Sequence, residues 1–242
     1  MFGFQRTSHP DCPDCEQTRL LSLRAAKFDA LSVLFGLELS HYVEAIDALL
    51  EVCPGVPSCP VRSTGVLEAG RDALAWTRNV GNVGPIHAEH VRLFGGENAR
   101  DPMPCVAPCG SMYLTGDPAA VGVQLERSYA EAGFAPVCRD TCPSHITNEL
   151  KFVAHLLGRA SEGDDTALEG AHQFLVGHLF TWGILFSAAT HARSDHPVTR
   201  FAGLMMEHLL FCEIEHAEGL VLSQGTPHPE SEYLQSSDMD VQ

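Results

Sequence analysis

The sequence predicts an all-α fold, a single-domain helical bundle. Apolar residues recur at helical spacing in most segments, and no segment alternates apolar and polar residues as a half-buried strand does. The chain has 242 residues, a length that suits one domain with a sizeable core. Hydrophobic residues make up 45% and charged residues 19% of it, a balance typical of globular proteins rather than disordered ones.

Helical spacing of apolar residues fills most of the first half of the chain. A break is predicted at Gly36 and Ser40, because both residue types favour turns over helix interiors. The segment 53–60 is predicted to be a loop, since its prolines remove backbone donors. Around these points, the spacing predicts helices over 17–35, 41–52, 67–80 and 85–94.

A segment rich in glycine and proline, 95–118, interrupts the helical pattern. It is too long for a simple connector, so we expect it to be ordered and functional. A helix is predicted after it over 119–133, with Gly133 as the C-terminal stop. Another is predicted over 146–157, where apolar residues form a stripe, and it is expected to end at Gly158.

Two more apolar stripes, over 175–189 and 198–212, predict the last helices. The apolar run over 174–189 is interrupted by His178 and Thr181, and it is shorter than the roughly 20 residues of a bilayer span. We therefore expect a core helix of a soluble protein.

Three parts of the chain are predicted: a polar N-terminal segment over 1–16, one all-α domain over 17–222 and a disordered tail over 223–242. The first residues lack the apolar region of a secretory signal, and the nine cysteines are odd in number. Both observations predict a cytoplasmic protein with reduced thiols.

The charge balance limits the partners of the chain. Lysine and arginine number 15 and aspartate and glutamate 31, which gives a formal net charge of −16. A nucleic-acid-binding protein needs a basic surface for phosphates, so this class is excluded. The negative electrostatic field of the chain would attract a cationic partner, although a need for solubility alone also accounts for the negative charge.

Metal binding is the alternative function that the sequence leaves open. Cysteines occur in short-range pairs, and Cys12 and Cys15, with His9 nearby, have the spacing of a zinc knuckle. Glu-x-x-His spacing, which builds di-iron sites in helical bundles, occurs at 38–41 and 213–216. Unlinked thiols and solvated helix faces explain the same residues without a metal. The cysteine pairs are Cys12/Cys15, Cys53/Cys59, Cys105/Cys109 and Cys138/Cys142.

No catalytic constellation is found, and the chain is predicted not to be an enzyme. Phosphate-binding glycine motifs and a nucleophile elbow are both missing from the sequence. His178 lies within an apolar stripe, so we expect it and Trp182 in the core, with the imidazole bonded to a backbone carbonyl. Glu149, at the margin of another stripe, is expected to form a cap or an ion pair.

The segment before the helix over 146–157 is the most specific candidate site. Pro143 suits the first turn of a helix, which would place Ser144 and His145 at its mouth beside unpaired backbone N–H groups. Such a mouth can hold peptide carbonyls or an anion.

Four segments in order resemble the TorD/DmsD/NarJ family of molybdoenzyme chaperones. The segment 140–152, DTCPSHITNELKF, is similar to the family motif E-x-x-P-D-H-[IL]-x-x-E-L-x-F. HVRLF at 90–94, PCGSMYL at 108–114 and FLVGHLFTW at 174–182 resemble E-Y-x-R-L-F, P-x-E-S-[VM]-Y and F-L-x-x-H-L-x-x-W. The four segments lie between residues 90 and 182, and the resemblance is expected to extend over about residues 20–215. Two positions depart: Ser144 replaces the usual aspartate and Gly110 the usual glutamate.

The resemblance implies a TorD-like fold and a cytoplasmic chaperone without a cofactor of its own. Such a chaperone binds the N-terminal region, often a twin-arginine signal peptide, of the apo catalytic subunit of a molybdenum bis-pterin oxidoreductase. It assists cofactor insertion and assembly before export, as a monomer or dimer and without membrane insertion. The expected peptide contacts are Tyr113, Asp140, Pro143, Ser144 and His145.

Overall fold

A computed structural model of the chain describes residues 13–36, 38–51, 60–79, 84–95, 103–137 and 142–224. Within these ranges the fold is the predicted all-α bundle, and no strand is formed. The helices are α1 (Pro13–Leu34), α2 (Tyr42–Leu50), α3 (Pro60–Asn79), α4 (Gly84–Phe94), α5 (Pro118–Glu131), α6 (Ile146–Ser161), α7 (Asp165–Phe174), α8 (Phe180–Arg193) and α9 (Pro197–Gln224).

Three pairs of helices form most of the core, and two of these pairs join helices distant in sequence. Helix α6 packs along α1, and α9 packs against α8 and α3. Their facing side chains are buried, among them Leu31, Leu150, Trp182, Phe186 and Phe201. Burying such side chains stabilises the fold by about 1.5–3 kcal/mol each relative to leaving them in water. The bundle is therefore held by two long-range pairs of helices together with the consecutive pair α8 and α9.

The predicted helix boundaries hold in some places and fail in others. Helix α1 ends before Gly36, as predicted, and Gly133 ends α5 with a φ of 68°. Helix α6 continues past Gly158 to Ser161, so the predicted stop is wrong. A helix tolerates an interior glycine at a cost of about 1 kcal/mol, and the chain turns instead at Gly163, with a φ of 97°.

Helices α7 and α8 are joined by a π-helical turn, Leu175–Leu179, into one stretch, Asp165–Arg193. This stretch of 29 residues is the one helix in the described ranges long and apolar enough to cross a membrane. The expectation that the run is too short is therefore wrong, because α7 extends it. Its inner side is nonetheless core, since Leu179, Trp182 and Phe186 have no exposed surface.

The excursion over 95–118 is ordered in the part that the structure describes. Loop 103–117, as we call it, runs back over the bundle with one short 3-10 turn, Gly110–Met112. Val106 is buried and donates its backbone N–H to the carbonyl of Leu93 at 2.8 Å. The loop predicted over 53–60 and the disordered tail lie almost wholly outside the described residues, so the domain bounds stay predictions.

Candidate functional site

Loop 103–117 is joined to the start of helix α6 by an antiparallel bridge between Cys109 and His145. Gly110 N–H donates to the carbonyl of Ser144 and Ile146 N–H to that of Pro108, both at 2.8 Å. Cys109 and Cys142 also form a disulfide. The prediction that these two thiols are unlinked is wrong. So is their predicted grouping with the nearer cysteines Cys105 and Cys138, because the fold brings Cys109 and Cys142 together.

Ser144 lies inside this junction, with 1% of its surface exposed. Its hydroxyl accepts a hydrogen bond from Ser111 N–H at 3.2 Å and donates one to Ser111 Oγ at 3.1 Å. These bonds use the side chain to hold loop 103–117 in place. In this structure Ser144 therefore positions the loop and offers little surface to a ligand.

Pro143 does not begin helix α6, which corrects the sequence prediction. The helix starts at Ile146, because turn 142–145 pairs with loop 103–117 and His145 adopts an extended backbone with a ψ of 135°. Tyr129 donates its hydroxyl to the carbonyl of Pro143 at 2.9 Å. Gly122 of α5 faces the proline ring. The turn is therefore held by its contacts with both loop 103–117 and helix α5.

His145 stands at the mouth of α6, as predicted, and acts as its N-cap. The ring Nδ1 accepts a hydrogen bond from Thr147 N–H at 3.3 Å, which satisfies one of the unpaired donors of the first turn. Burial lowers the pKa of His145 to about 4. The imidazole is therefore neutral near pH 7.

A buried carboxyl group lies beneath the loop. Glu149, fully buried, accepts a hydrogen bond from Trp182 Nε1 at 3.1 Å and lies 3.0 Å from His178 Nε2. Burial raises the pKa of Glu149. The partner expected for Glu149 is therefore His178. The prediction that His178 bonds to a backbone carbonyl is wrong, because its Nε2 contacts this carboxyl group instead. The π-helical turn contains His178, and such turns often occur at functional sites.

Tyr113 covers this group from the loop. Its ring stacks on the indole of Trp182 at 5.6 Å between centroids, with 28° between the planes. Gly110 allows the close approach, because a Cβ at that position would lie 2.7 Å from the indole. Loop, indole and buried carboxyl group therefore form consecutive layers.

Of the predicted peptide contacts, Tyr113, Pro143, Ser144 and His145 belong to this one junction, while Asp140 lies outside the described residues. Sequence reasoning missed two exposed apolar side chains, Met112 and Val123, with 69% and 66% of their surface exposed. They belong to the 3-10 turn and to α5, which contact each other. Nothing in the local sequence separates these two apolar residues from buried ones.

The described residues contain no group of three or more histidine, cysteine, aspartate or glutamate side chains able to hold a metal. Glu213 instead forms an ion pair with Arg24, and Glu38 is exposed. His9, Cys12 and the side chain of His216 lie outside the described residues.

The family model for the nitrate reductase delta subunit matches residues 73–188. A comparison with curated proteins gave no match. The matched range runs from within α3 to within α8 and includes both loop 103–117 and turn 142–145. Residues 73–188 thus match a model of the NarJ/TorD-type chaperone family, which confirms the resemblance over that range. This family matures molybdoenzymes and works with their catalytic subunits; it is an assembly family rather than a catalytic one.

The two departures from the NarJ/TorD motifs meet at the junction. A side chain at position 110 would meet the indole of Trp182, and its Cβ would lie 3.2 Å from the carboxyl group of Glu149. A second glutamate would crowd that buried carboxyl group, which explains why glycine suits this chain. Serine suits position 144 because its hydroxyl is neutral. An aspartate carboxylate there, with 1% of the residue surface exposed, would need a charged partner.

Proposed function

We propose that this chain is a cytoplasmic chaperone that binds the N-terminal, twin-arginine region of the catalytic subunit of a molybdopterin-containing oxidoreductase. Binding holds the apo subunit until cofactor insertion and assembly are complete. The observation that carries the proposal is the junction of loop 103–117 with the mouth of α6, within the range matched by the family.

The surface of the junction suits an apolar peptide segment. Met112 and Val123 are exposed, and Tyr113, which follows Met112 in sequence, is half-buried. The first two turns of α5, Pro118 to Gln124, carry no charged side chain. Transferring an apolar peptide stretch from water to such a surface is favourable by about 25 cal/mol per Å² of buried area.

The charge of the chain suits the other end of such a peptide. A twin-arginine signal peptide is basic at one end and apolar in the middle. The chain has 31 acidic and 15 basic residues, so its field attracts a cation and speeds encounter. Apolar burial and charge attraction together favour this client over an acidic or uniformly polar segment.

Replacing His145 by alanine is expected to weaken binding of a synthetic twin-arginine signal peptide at least about fivefold, as loss of a contact worth about 1 kcal/mol does. The variant also loses the α6 cap, at about 1 kcal/mol of stability, but its helicity stays intact. Calorimetry gives the affinity, and circular dichroism gives the helix content.

His155→Ala is the matched control on the same helix. His155 bonds to the carbonyl of Ala132 at 3.0 Å, away from the junction. We expect its peptide affinity to equal that of the wild type. An unchanged affinity in His145→Ala, or an equal loss in both variants, would remove His145 from the site.

A further inference from the structure

The disulfide between Cys109 and Cys142 is the one covalent tie between loop 103–117 and turn 142–145. We propose that it is a redox-sensitive site that controls the loop: the bridged form holds the loop in its binding conformation, and reduction loosens it. The effect on client affinity rests on the proposed function, whereas the effect on the loop does not.

The bridge lies where it has most influence on the site. Cys109 immediately precedes Gly110, whose N–H crosses to Ser144, and Cys142 lies three residues before the cap His145. The ends of the ring that it closes are 33 residues apart in sequence. A covalent link across such a span removes many conformations in which the loop and the turn lie apart.

Without the bridge, the middle of the loop would depend on individually weak contacts. Two backbone hydrogen bonds flank Cys109, and the Ser111–Ser144 pair adds two more. None of them belongs to a helix or a sheet that would reinforce it. Tyr113 and Met112 follow directly, so loosening the loop displaces the side chains offered to the client. Preorganising a binding loop favours affinity because less order is lost on binding.

The chemistry needs only thiol exchange. Both cysteines are partly exposed, so a small dithiol can reach them. One thiolate of the dithiol attacks a cysteine sulfur, the Cys109–Cys142 bond breaks, and a mixed disulfide forms. The second thiol of the reagent displaces that cysteine; the reagent is oxidised, and two protons and two electrons end on the cysteine pair. A low-molecular-weight disulfide restores the bridge by the reverse exchanges.

Family members are soluble cytoplasmic chaperones. Disulfides in a reducing cytoplasm are rare, and those present usually sense redox state. A bridge that joins a binding loop to a helix mouth is placed to act in this way. The reduced Cys105 thiol, in the same loop but outside the bridge, offers a matched control.

The test compares the full chain after treatment with oxidised glutathione and after treatment with dithiothreitol. Peptide mapping by mass spectrometry detects the Cys109–Cys142 linkage. Amide exchange is measured at Gly110 and Ile146, which cross the junction, and at Val106, which bonds to helix α4 instead. We expect exchange at the first two amides to become at least tenfold faster on reduction, with Val106 unchanged.

Client affinity is measured on the same samples with the twin-arginine peptide, and a loss of at least fivefold is expected on reduction. Cys109→Ser should behave as the reduced form in both treatments, and Cys105→Ser should respond as the wild type does. Cys142→Ser repeats the test from the other side of the bridge if the first variant does not fold.

No linked peptide after oxidation, or equal exchange in both states, would overturn the proposal. Faster exchange at Gly110 and Ile146 on reduction with no peptide binding in either state would support control of the loop and overturn the client function. Peptide binding that is equal in both states would overturn the link to affinity.

Discussion

Replacing Trp182 by alanine is expected to lower the free energy of unfolding by about 4 kcal/mol or more. The indole is fully buried and contacts Tyr113 and Phe186. Truncating a buried tryptophan leaves a cavity and costs about 3–5 kcal/mol. The substitution also removes the indole N–H that donates a hydrogen bond to Glu149. Leaving a buried polar group without its partner costs about 1–3 kcal/mol of stability. Urea unfolding followed by circular dichroism measures the loss.

Trp182→Phe separates these two contributions. The phenyl ring keeps most of the packing and removes only the N–H donor to Glu149. We expect it to cost about 1–3 kcal/mol, clearly less than the alanine variant. A loss below about 1 kcal/mol in Trp182→Ala would show that the layer of loop, indole and carboxyl group does not support the bundle. Equal losses in both variants would assign the whole effect to the hydrogen bond.

Replacing Arg24 by alanine is expected to cost about 3–5 kcal/mol of stability. The guanidinium of Arg24, on α1, donates to both carboxylate oxygens of Glu213 on α9, and the two side chains are only 11% and 9% exposed. Removing one partner leaves a buried charge uncompensated. Because the ion pair joins two helices that contact each other, denaturant unfolding should report the loss directly.

The matched control is Arg78→Ala, which breaks an ion pair with Asp47 whose side chains are 57% and 49% exposed. Exposed pairs contribute about 0–1 kcal/mol, so its loss should be small. Similar losses in the two variants would contradict the burial argument. The ion pair between Arg24 and Glu213 also explains the burial of Glu213 without a metal ligand, because the guanidinium already neutralises its carboxylate.

Local patterns in the sequence predict most of the helices, although not α7, because helix formation depends on neighbours three and four residues away. The break at Gly36 and the stop at Gly133 follow from residue preferences that act within one turn. Gly158 and Pro143 mislead for a physical reason. A glycine ends a helix only where the chain turns, and Pro143 is held outside α6 by pairing with a loop about 35 residues away.

The candidate site was only partly predictable. The family motifs indicated Tyr113 and the 143–145 segment, and in the structure Gly110 and Pro108, from the same loop as Tyr113, form backbone hydrogen bonds to Ser144 and Ile146. The bridge from Cys109 to Cys142 depends on chain topology, and cysteine spacing alone favoured nearer pairs. The contact of Glu149 with Trp182 is likewise a long-range one, and burial of a carboxyl group is not visible in a local pattern.

Calorimetry on the full chain measures directly whether it binds a signal peptide that is basic at one end and apolar in the middle. The titrant is a synthetic twin-arginine signal peptide at about 0.05 M and about 0.5 M salt, with a control peptide carrying glutamine in place of both arginines. We expect the twin-arginine peptide to bind with a Kd of about 1 μM or tighter, and we expect weaker binding at the higher salt concentration and for the glutamine peptide. Absence of binding at both salt concentrations, or equal affinity for the two peptides, would contradict the proposed function.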